Sequence, residues 1–594
     1  MRMVRAGIFI GVDRTGNLQK LNDAAAGARR MADWALSQGL ADQTHVKLIT
    51  DADGQKVHPD LIFDAIKELI DGPGVDQLLV YFAGHGVNIN RNETWLLTDA
   101  PVRPSAAVNV SGSVELARYC GIQHVVIVSD ACRVAPEGIQ AQNVRGVDVF
   151  PNEGAADRAK PVDQFFACFL GKTAAEIKDP GAAASSFNAL YTNVLLDALK
   201  GARPEVLEPG DAGDRSHYVR PRKLESYLET EVPRRVKAMG LEKKVNQSPD
   251  AIITSDASWV SRIDTPPGNA TRSPGPLGMR GAPPAPPTPQ NLRTVTETLV
   301  GTAVKGNRAL LTQQLRRAKT VQIAGAEDLA GTVDRIAVPF GPDHFESECG
   351  IKVRGARIVD FFAPRASARL LGAEGDLLRI DGLETPAVSI LLRFEGGVGT
   401  VIPAIPGFLA ALTFDDGELV DVAYEPSVNT PRWQRFKDQA ADLRTLRTVA
   451  ASSSRHGRFR LDLSDSLTVA QKMQDAKGND PTLAVYAAYA YHDLQAVERI
   501  RDMSRYLRDD IGVTLFDLAL LGRMLIGKSI GPGDGIVPFV PLLSQGWALL
   551  GAHRVKLHPR LEGIESTMRD SLWSLFDDAG LEKLRHAMET KEVR

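Results

Sequence analysis

Residues 78–86 read LLVYFAGHG and residues 125–133 read VVIVSDACR. Each opens on a near-continuous apolar run, Gln77–Phe82 in the first case and His124–Ser129 in the second. Runs of this length without alternation are what strands buried on both faces of a parallel sheet require. Each run then gives way to polar and reactive groups: Gly84-His85-Gly86 after the first, Asp130-Ala131-Cys132-Arg133 after the second. In parallel α/β sheets the reactive groups collect beyond the carboxyl ends of the strands. The glycines flanking His85 let the backbone turn sharply and let a second backbone come close.

Outward from these runs, strands and helices alternate. Val4–Val12 and Val46–Ile49 read as strands, and Phe165–Leu170 as a fifth. Asn22–Ser37 has helical spacing, with Ala28, Met31, Ala35 and Leu36 on one side. Pro59–Ile70 is a second helix, stopped by Gly72-Pro73-Gly74, and Phe187–Leu199 a third. This βαβα order predicts an α/β domain over residues 1–263, a mostly parallel sheet flanked by helices. Residues 264–291 hold nine prolines and four glycines and read as a semi-extended linker. Residues 292–430 follow as a β-rich domain. Its clearest element is a hairpin over Leu412–Tyr424 that turns at Asp416-Gly417. Residues 431–594 read as a helical domain, with helices over Trp433–Val449, Leu483–Leu507, Thr514–Leu525, Gln545–Leu550 and Gly563–Phe576.

Composition narrows the function. The 594 residues carry 70 basic and 73 acidic side chains, a net charge of −3, so nothing points to nucleic acid or an anionic membrane as partner. The four cysteines, Cys120, Cys132, Cys168 and Cys349, form no C-x-x-C pair. That excludes a disulfide scaffold and argues against a structural zinc or iron–sulfur site. The N-terminal MRMVRAGIFIGVD has an apolar run too short for a secretory signal. The longest uncharged stretch, Gly535–Ala552, contains Pro538 and Pro541 and reads as a buried turn plus helix. The expected location is the cytoplasm, with no membrane segment.

Cysteine attacks as a thiolate and needs a base or cation beside it. A histidine on a neighbouring strand would serve, and would then protonate the amine leaving a cleaved peptide bond. Either residue alone is more often structural. His85 and Cys132, 47 positions apart and each at the end of a buried run, are together a candidate dyad. Here the chain resembles the caspase-like cysteine peptidases, whose signature places a histidine about 50 residues before the cysteine. YFAGHG…SDAC is closest to the metacaspase and orthocaspase branch; Asp130 and Val134 stand where caspases carry Gln and Gly. The resemblance spans Val4–Ile263, with VRAGIFIGV, KLNDAAAGARRM, SFNALYTNVLLDALKG and NQSPDAII as further landmarks.

The resemblance implies an endopeptidase acting through an acyl-enzyme on Cys132 with His85 as base, and an oxyanion held by the N–H groups of Gly86 and Cys132. It needs neither metal nor cofactor. Asp130 shares a strand face with Cys132, and a carboxylate there suits a cationic substrate side chain. Asn22-Asp23 matches the family's second pocket acid; the alternative for Asp23 is an ordinary helix N-terminal acid. Ala83 stands where the family often has serine. Two carboxylates would favour arginine over lysine before the scissile bond. Asp99 matches a strand-end acid of the family, with a structural role as the simpler reading.

Arg133–Lys160 lies where such enzymes are processed, which makes Arg145 and Arg158 candidate self-cleavage sites, with Arg272 and Arg280 in the linker as others. The substrates would be proteins or peptides. Residues 292–594 carry no chemical motif and are expected to bind an activating protease or a regulatory partner. The setting such a zymogen suggests is bacterial stress, cell-death or defence signalling. Two other readings stay open: a catalytically silent scaffold, and a peptidase that prefers acidic residues.

Overall fold

The apolar runs of the N-terminal half become the middle of one sheet. A computed structural model describes residues 3–38, 45–72, 74–134, 144–153, 158–167, 180–210, 214–239, 249–264, 349–371, 375–455 and 463–594, with nine separate positions between 298 and 336. They divide into one unit of residues 1–87 and 93–295 and another of residues 88–92 and 296–594.

In the first unit the strands are β1 (Arg5–Gly11), β2 (Val46–Thr50), β3 (Gln77–Ile89), β4 (Asn92–Leu96), β5 (Ala107–Asn109), β6 (His124–Val134), β7 (Val162–Phe166), β8 (Leu207–Pro209), β9 (His217–Val219), β10 (Asp250–Ile252) and β11 (Ser261–Ile263). The helices are α1 (Ala24–Ser37), α2 (Pro59–Asp71), α3 (Val110–Ala117), α4 (Pro180–Leu199) and α5 (Pro221–Ala238). The main sheet runs β10-β7-β6-β3-β1-β2, with β4 and β5 extending from β3. Along that path only β10, at the edge, is antiparallel to its neighbour. Strands β8, β9 and β11 form a small separate sheet.

The missing alternation in the central runs is explained by burial on both sides. Phe9, Leu79, Tyr81, Val126 and Val128 join a core with α1, α4 and α5. Ile8, Ile10, Leu78, Val80 and Phe82, at the intervening positions, are equally buried. Alanines bring α1 close to the sheet. At Gly11 a Cβ would lie 2.5 Å from the Ala24 carbonyl oxygen, so only glycine lets the end of β1 meet the start of α1.

Chain order sets where chemistry is possible. From β1 the chain passes to β2 on one side and then returns to β3 on the other. The crevice at the carboxyl ends of such strands, at the point where strand order reverses, is where open α/β sheets bind ligands. Two details differ from expectation. β3 and β6 continue past His85 and Cys132, because β3 goes on to Ile89 and pairs with β4. The fifth strand of the parallel set ends at Phe166, short of the expected Leu170.

In the second unit eight strands, β12 (Gly350–Arg354), β13 (Ile358–Phe362), β14 (Ser367–Leu371), β15 (Leu377–Asp381), β16 (Val388–Phe394), β17 (Val398–Ala404), β18 (Phe408–Asp415) and β19 (Glu418–Pro426), form two sheets. The order is β14-β15-β12-β18-β19 in one and β13-β16-β17 in the other, the latter joined by Phe576–Asp577. The predicted hairpin is β18–β19, with Asp416 at φ 48° and Gly417 at φ 80°, the turn that Asp-Gly favours. Helices α6 (Arg432–Arg455), α7 (Leu463–Ala476), α8 (Pro481–Asp493) and α9 (Val497–Ile511) follow. Strands and helices share one hydrophobic core.

Three expectations shift here. The nine described positions from 298 to 336 are helical, and among the described residues of this stretch the first strand begins at Gly350. The helix expected over Leu483–Leu507 is two, broken where Gln495 takes φ 57°. Gly563–Phe576 is a short 3-10 turn at Ile564–Thr567 followed by extended chain, whose buried Leu572, Trp573 and Leu575 imitate helical spacing. No helix among the described residues is long and apolar enough to cross a membrane. The linker from residue 265 on, with Arg272 and Arg280, lies outside the described residues.

Candidate active site

Strand pairing brings the two sequence-predicted reactive residues together. β3 and β6 are parallel neighbours, and in their register the Cα of His85 lies opposite that of Cys132. Gly86 is one step further, opposite Arg133, and Ala83 two steps back, opposite Asp130. The Cys132 side chain lies outside the described residues, as does all of Cys168.

Among the described residues the half-buried His85 ring has one hydrogen bond. Its Nε2 is 2.8 Å from the backbone carbonyl oxygen of Gln19, in the loop joining β1 to α1. A carbonyl only accepts, so Nε2 carries the hydrogen. In the neutral ring Nδ1 is then the free base. Burial pushes the imidazolium pKa below its ordinary 6.5, which keeps the ring neutral at pH 7. The loop is itself pinned. The carboxylate of buried Asp51 accepts from the N–H groups of Asp13 and Arg14 at 2.9 and 2.7 Å, and Asp13 accepts from the N–H of Ala25 at 3.1 Å. Gln19 is one residue of the candidate site that sequence reasoning missed. Its contribution is a main-chain oxygen, and no side-chain type announces that.

The other described cysteines offer no rival nucleophile. Burial raises the thiol pKa of Cys120, and pushes that of Cys349 to about 12, so neither is a thiolate at neutral pH.

Asp130 and Asp23, placed far apart by the sequence, lie in one polar cluster between the sheet and helices α1 and α4. Asp130 is fully buried on β6. Its Oδ2 accepts from the hydroxyl of Tyr81 on β3 at 3.3 Å and from that of Thr192 on α4, and those hydroxyls are 2.6 Å apart. Its Oδ1 has no hydrogen-bond partner. Desolvation raises its pKa to about 8, more than the two hydroxyls lower it.

Asp23 stands at the N-cap of α1 without capping it. Both its oxygens instead meet Arg30, two turns along α1, at 3.1 and 2.6 Å. This revises the electrostatic expectation of two free carboxylates. Asp23 is paired with a cation of its own chain, and Asp130 is mostly neutral at pH 7 when nothing else binds.

The candidate cleavage sites differ. Arg145 is exposed, but its N–H donates to the Pro104 carbonyl, and Val147 is bonded on both sides to β5. A Cβ on Gly146 would lie 2.4 Å from the Asn109 nitrogen, so this backbone is held against its neighbour. Arg158 is exposed, and residues 154–157 before it lie outside the described residues. Asp99 is in a surface ion pair with Lys56 at 2.8 Å.

No protein-family model and no curated protein matches this chain. Among solved structures it is similar to protein GSU0716 from Geobacter sulfurreducens, at 17% identity, covering 43% of this chain and 95% of that one, with a TM-score of 0.27. Similarity at that level carries no argument about fold or function.

Proposed function

We propose that residues 1–263 are a caspase-like cysteine endopeptidase that cleaves after basic residues. The observation that carries this reading is His85 opposite Cys132 on neighbouring strands of a parallel sheet, beside the switch point between β1 and β3, with its Nε2–H committed to Gln19 and its Nδ1 left as a base. In the proposed reaction Cys132 Sγ attacks the peptide carbonyl carbon as its proton passes to Nδ1. That proton then goes to the leaving amine, and a thioester remains. Water, giving a proton to the same Nδ1, attacks the thioester; the acid leaves and the thiol recovers its proton. The N–H groups of Gly86 and Cys132 are the oxyanion donors. Asp23 and Asp130 take the basic side chain, arginine over lysine because a planar fork can meet two carboxyl groups. Residues 292–594 are proposed to restrain or recruit the enzyme in a bacterial stress or defence response, through a partner or an activating protease.

The test is release from fluorogenic peptides ending in Arg, Lys or Asp, by the intact chain before and after limited trypsin treatment. Cleavage after Arg or Lys that disappears in Cys132→Ala is the expected result. Arg30 in the cluster favours one second reading, acidic specificity, and release after Asp alone would establish it. Silence in every arm would leave a scaffold.

Self-processing is expected at Arg158-Ala159 and not at Arg145-Gly146. A protease binds its substrate as an extended strand with free main-chain groups. Arg145–Val147 must first surrender its bonds to Pro104 and β5. N-terminal sequencing of the processed chain checks this. A new terminus at Gly146 would be the wrong outcome.

A further inference from the structure

We propose that the Arg30 guanidinium is the chain's own occupant of the cation pocket formed by Asp23 and Asp130, and that a basic substrate side chain must displace it. This deepens the proposed peptidase reading and rests on it for the word substrate. The binding claim stands on the cluster alone.

Two observations converge. The first is a buried acceptor with nothing to accept: Asp130 is 0% exposed and its Oδ1 is unpartnered, although the neighbouring Oδ2 is served by two hydroxyls. An unpaired polar atom at full burial is costly and asks for a ligand. The second is where Arg30 sits. A Cβ on Gly27 would lie 3.3 Å from the Tyr81 hydroxyl, 3.5 Å from that of Thr192 and 3.7 Å from Arg30 Nη2. The guanidinium is therefore on the same side of α1 as the hydroxyls that hold Asp130, while its own hydrogen bonds go to Asp23, and among the described residues its Nε has no hydrogen-bond partner.

The cluster thus holds two carboxyl groups and one cation. The Asp23–Arg30 pair balances itself, and Asp130, held mostly neutral by burial, ionises only against a cation brought to its Oδ1, so the cluster suits a cation in Arg30's place and not an anion. The resident is within reach of solvent. The Arg30 and Asp23 side chains are 36% and 25% exposed, so water screens the two-point contact that an entering cation must break. A substrate guanidinium entering in its place would find Asp23 and Asp130 Oδ1 together, a bidentate arrangement that Arg30 is not making. Arg30 would then act as an internal competitor and raise the KM for basic substrates. In the empty enzyme it would keep the pocket closed.

The experiment is calorimetric titration of agmatine, an arginine side chain without its peptide, into the full chain carrying Cys132→Ala. Arg30→Met keeps the apolar stem and removes the charge. It is expected to bind agmatine at least tenfold more tightly than the Arg30 parent, and adding Asp130→Asn should erase that gain. Glutarate, the anionic control, should bind neither form. Arg30→Gln is the second variant should Met disturb folding, with circular dichroism confirming helix content.

Equal or weaker agmatine binding by a folded Arg30 variant overturns the proposal. So does a gain that survives Asp130→Asn, since surface Asp23 alone would then explain it. The peptidase reading fails separately. If the Cys132-containing chain cleaves nothing while Arg30→Met still gains agmatine affinity, the pocket stands without the enzyme. If Arg peptides are cleaved but Arg30→Met changes neither agmatine affinity nor KM, the enzyme stands without the internal competitor.

Discussion

His85→Ala is expected to lower kcat for peptide release by about a thousandfold, the middle of the range for a positioned general base. An unassisted thiol with a pKa of about 8.5 is only a few per cent thiolate at pH 7, and nothing else would protonate the leaving amine. The fold should survive. His85 is half-buried, and its one hydrogen bond among the described residues is to a carbonyl in the exposed Gln19 loop, where water can replace the ring. The pH profile separates loss of a base from loss of shape. Because burial lowers the imidazolium pKa, the acid limb of kcat/KM for the parent should fall below pH 6.5. In His85→Ala that limb should vanish, leaving a slow rate that climbs toward the ordinary thiol pKa. A variant that keeps the parent's limb and loses only a few-fold in kcat would remove His85 from the chemistry, whatever Cys132 does.

The parts of this site that were legible in the sequence are those in which a residue's type states its task. Apolar runs without alternation stated that β3 and β6 are buried on both faces, and a reactive residue at the end of each made His85 and Cys132 a candidate pair. Asp130 came from the strand face it shares with Cys132 and Asp23 through a resemblance, and the structure puts both in one cluster. Missing were the parts fixed by geometry alone. Gln19 acts through a main-chain oxygen. Tyr81 and Thr192 look like ordinary core residues of a strand and a helix until Asp130 lies between them. Arg30, seven residues after Asp23, reads as one more surface cation on an alanine-rich helix; only the direction of both side chains shows that it fills the acid's hydrogen bonds. In the second unit one misreading has a plain cause. Buried Leu572, Trp573 and Leu575 carry helical spacing in an extended chain, because the single core collects apolar groups from strands and helices alike. Periodicity reports which side is buried, and backbone form follows only when neighbouring signals agree.

That core also holds a buried cluster of three charges. Arg447 on α6 is buried between two buried carboxylates, its Nε 3.1 Å from Asp421 on β19 and its Nη1 3.1 Å from Asp480 at the start of α8. Arg447→Met should destabilise the second unit by about 3–5 kcal/mol at pH 7, as removal of one member of a buried ion set does. The two acids do not suffer equally. Asp480 keeps the N–H and hydroxyl of Thr482 at 3.0 and 2.6 Å and the N–H of Tyr424 at 3.1 Å. Asp421 has one oxygen unpartnered even in the parent, and desolvation already holds its pKa at about 6. Without Arg447 that pKa rises further above its ordinary value of about 3.8. A carboxyl whose folded pKa is raised gives stability that is complete below the unfolded pKa and is lost as pH climbs through the folded one. The deficit should therefore be smaller at pH 5 than at pH 7, and Arg447→Met combined with Asp421→Asn should recover part of it. Urea unfolding at both pH values measures the loss, with hydrogen exchange of the β19 amides assigning it to this unit. A single variant within about 1 kcal/mol of the parent at both pH values would show that these three charges are not what ties β19 to α6 and α8.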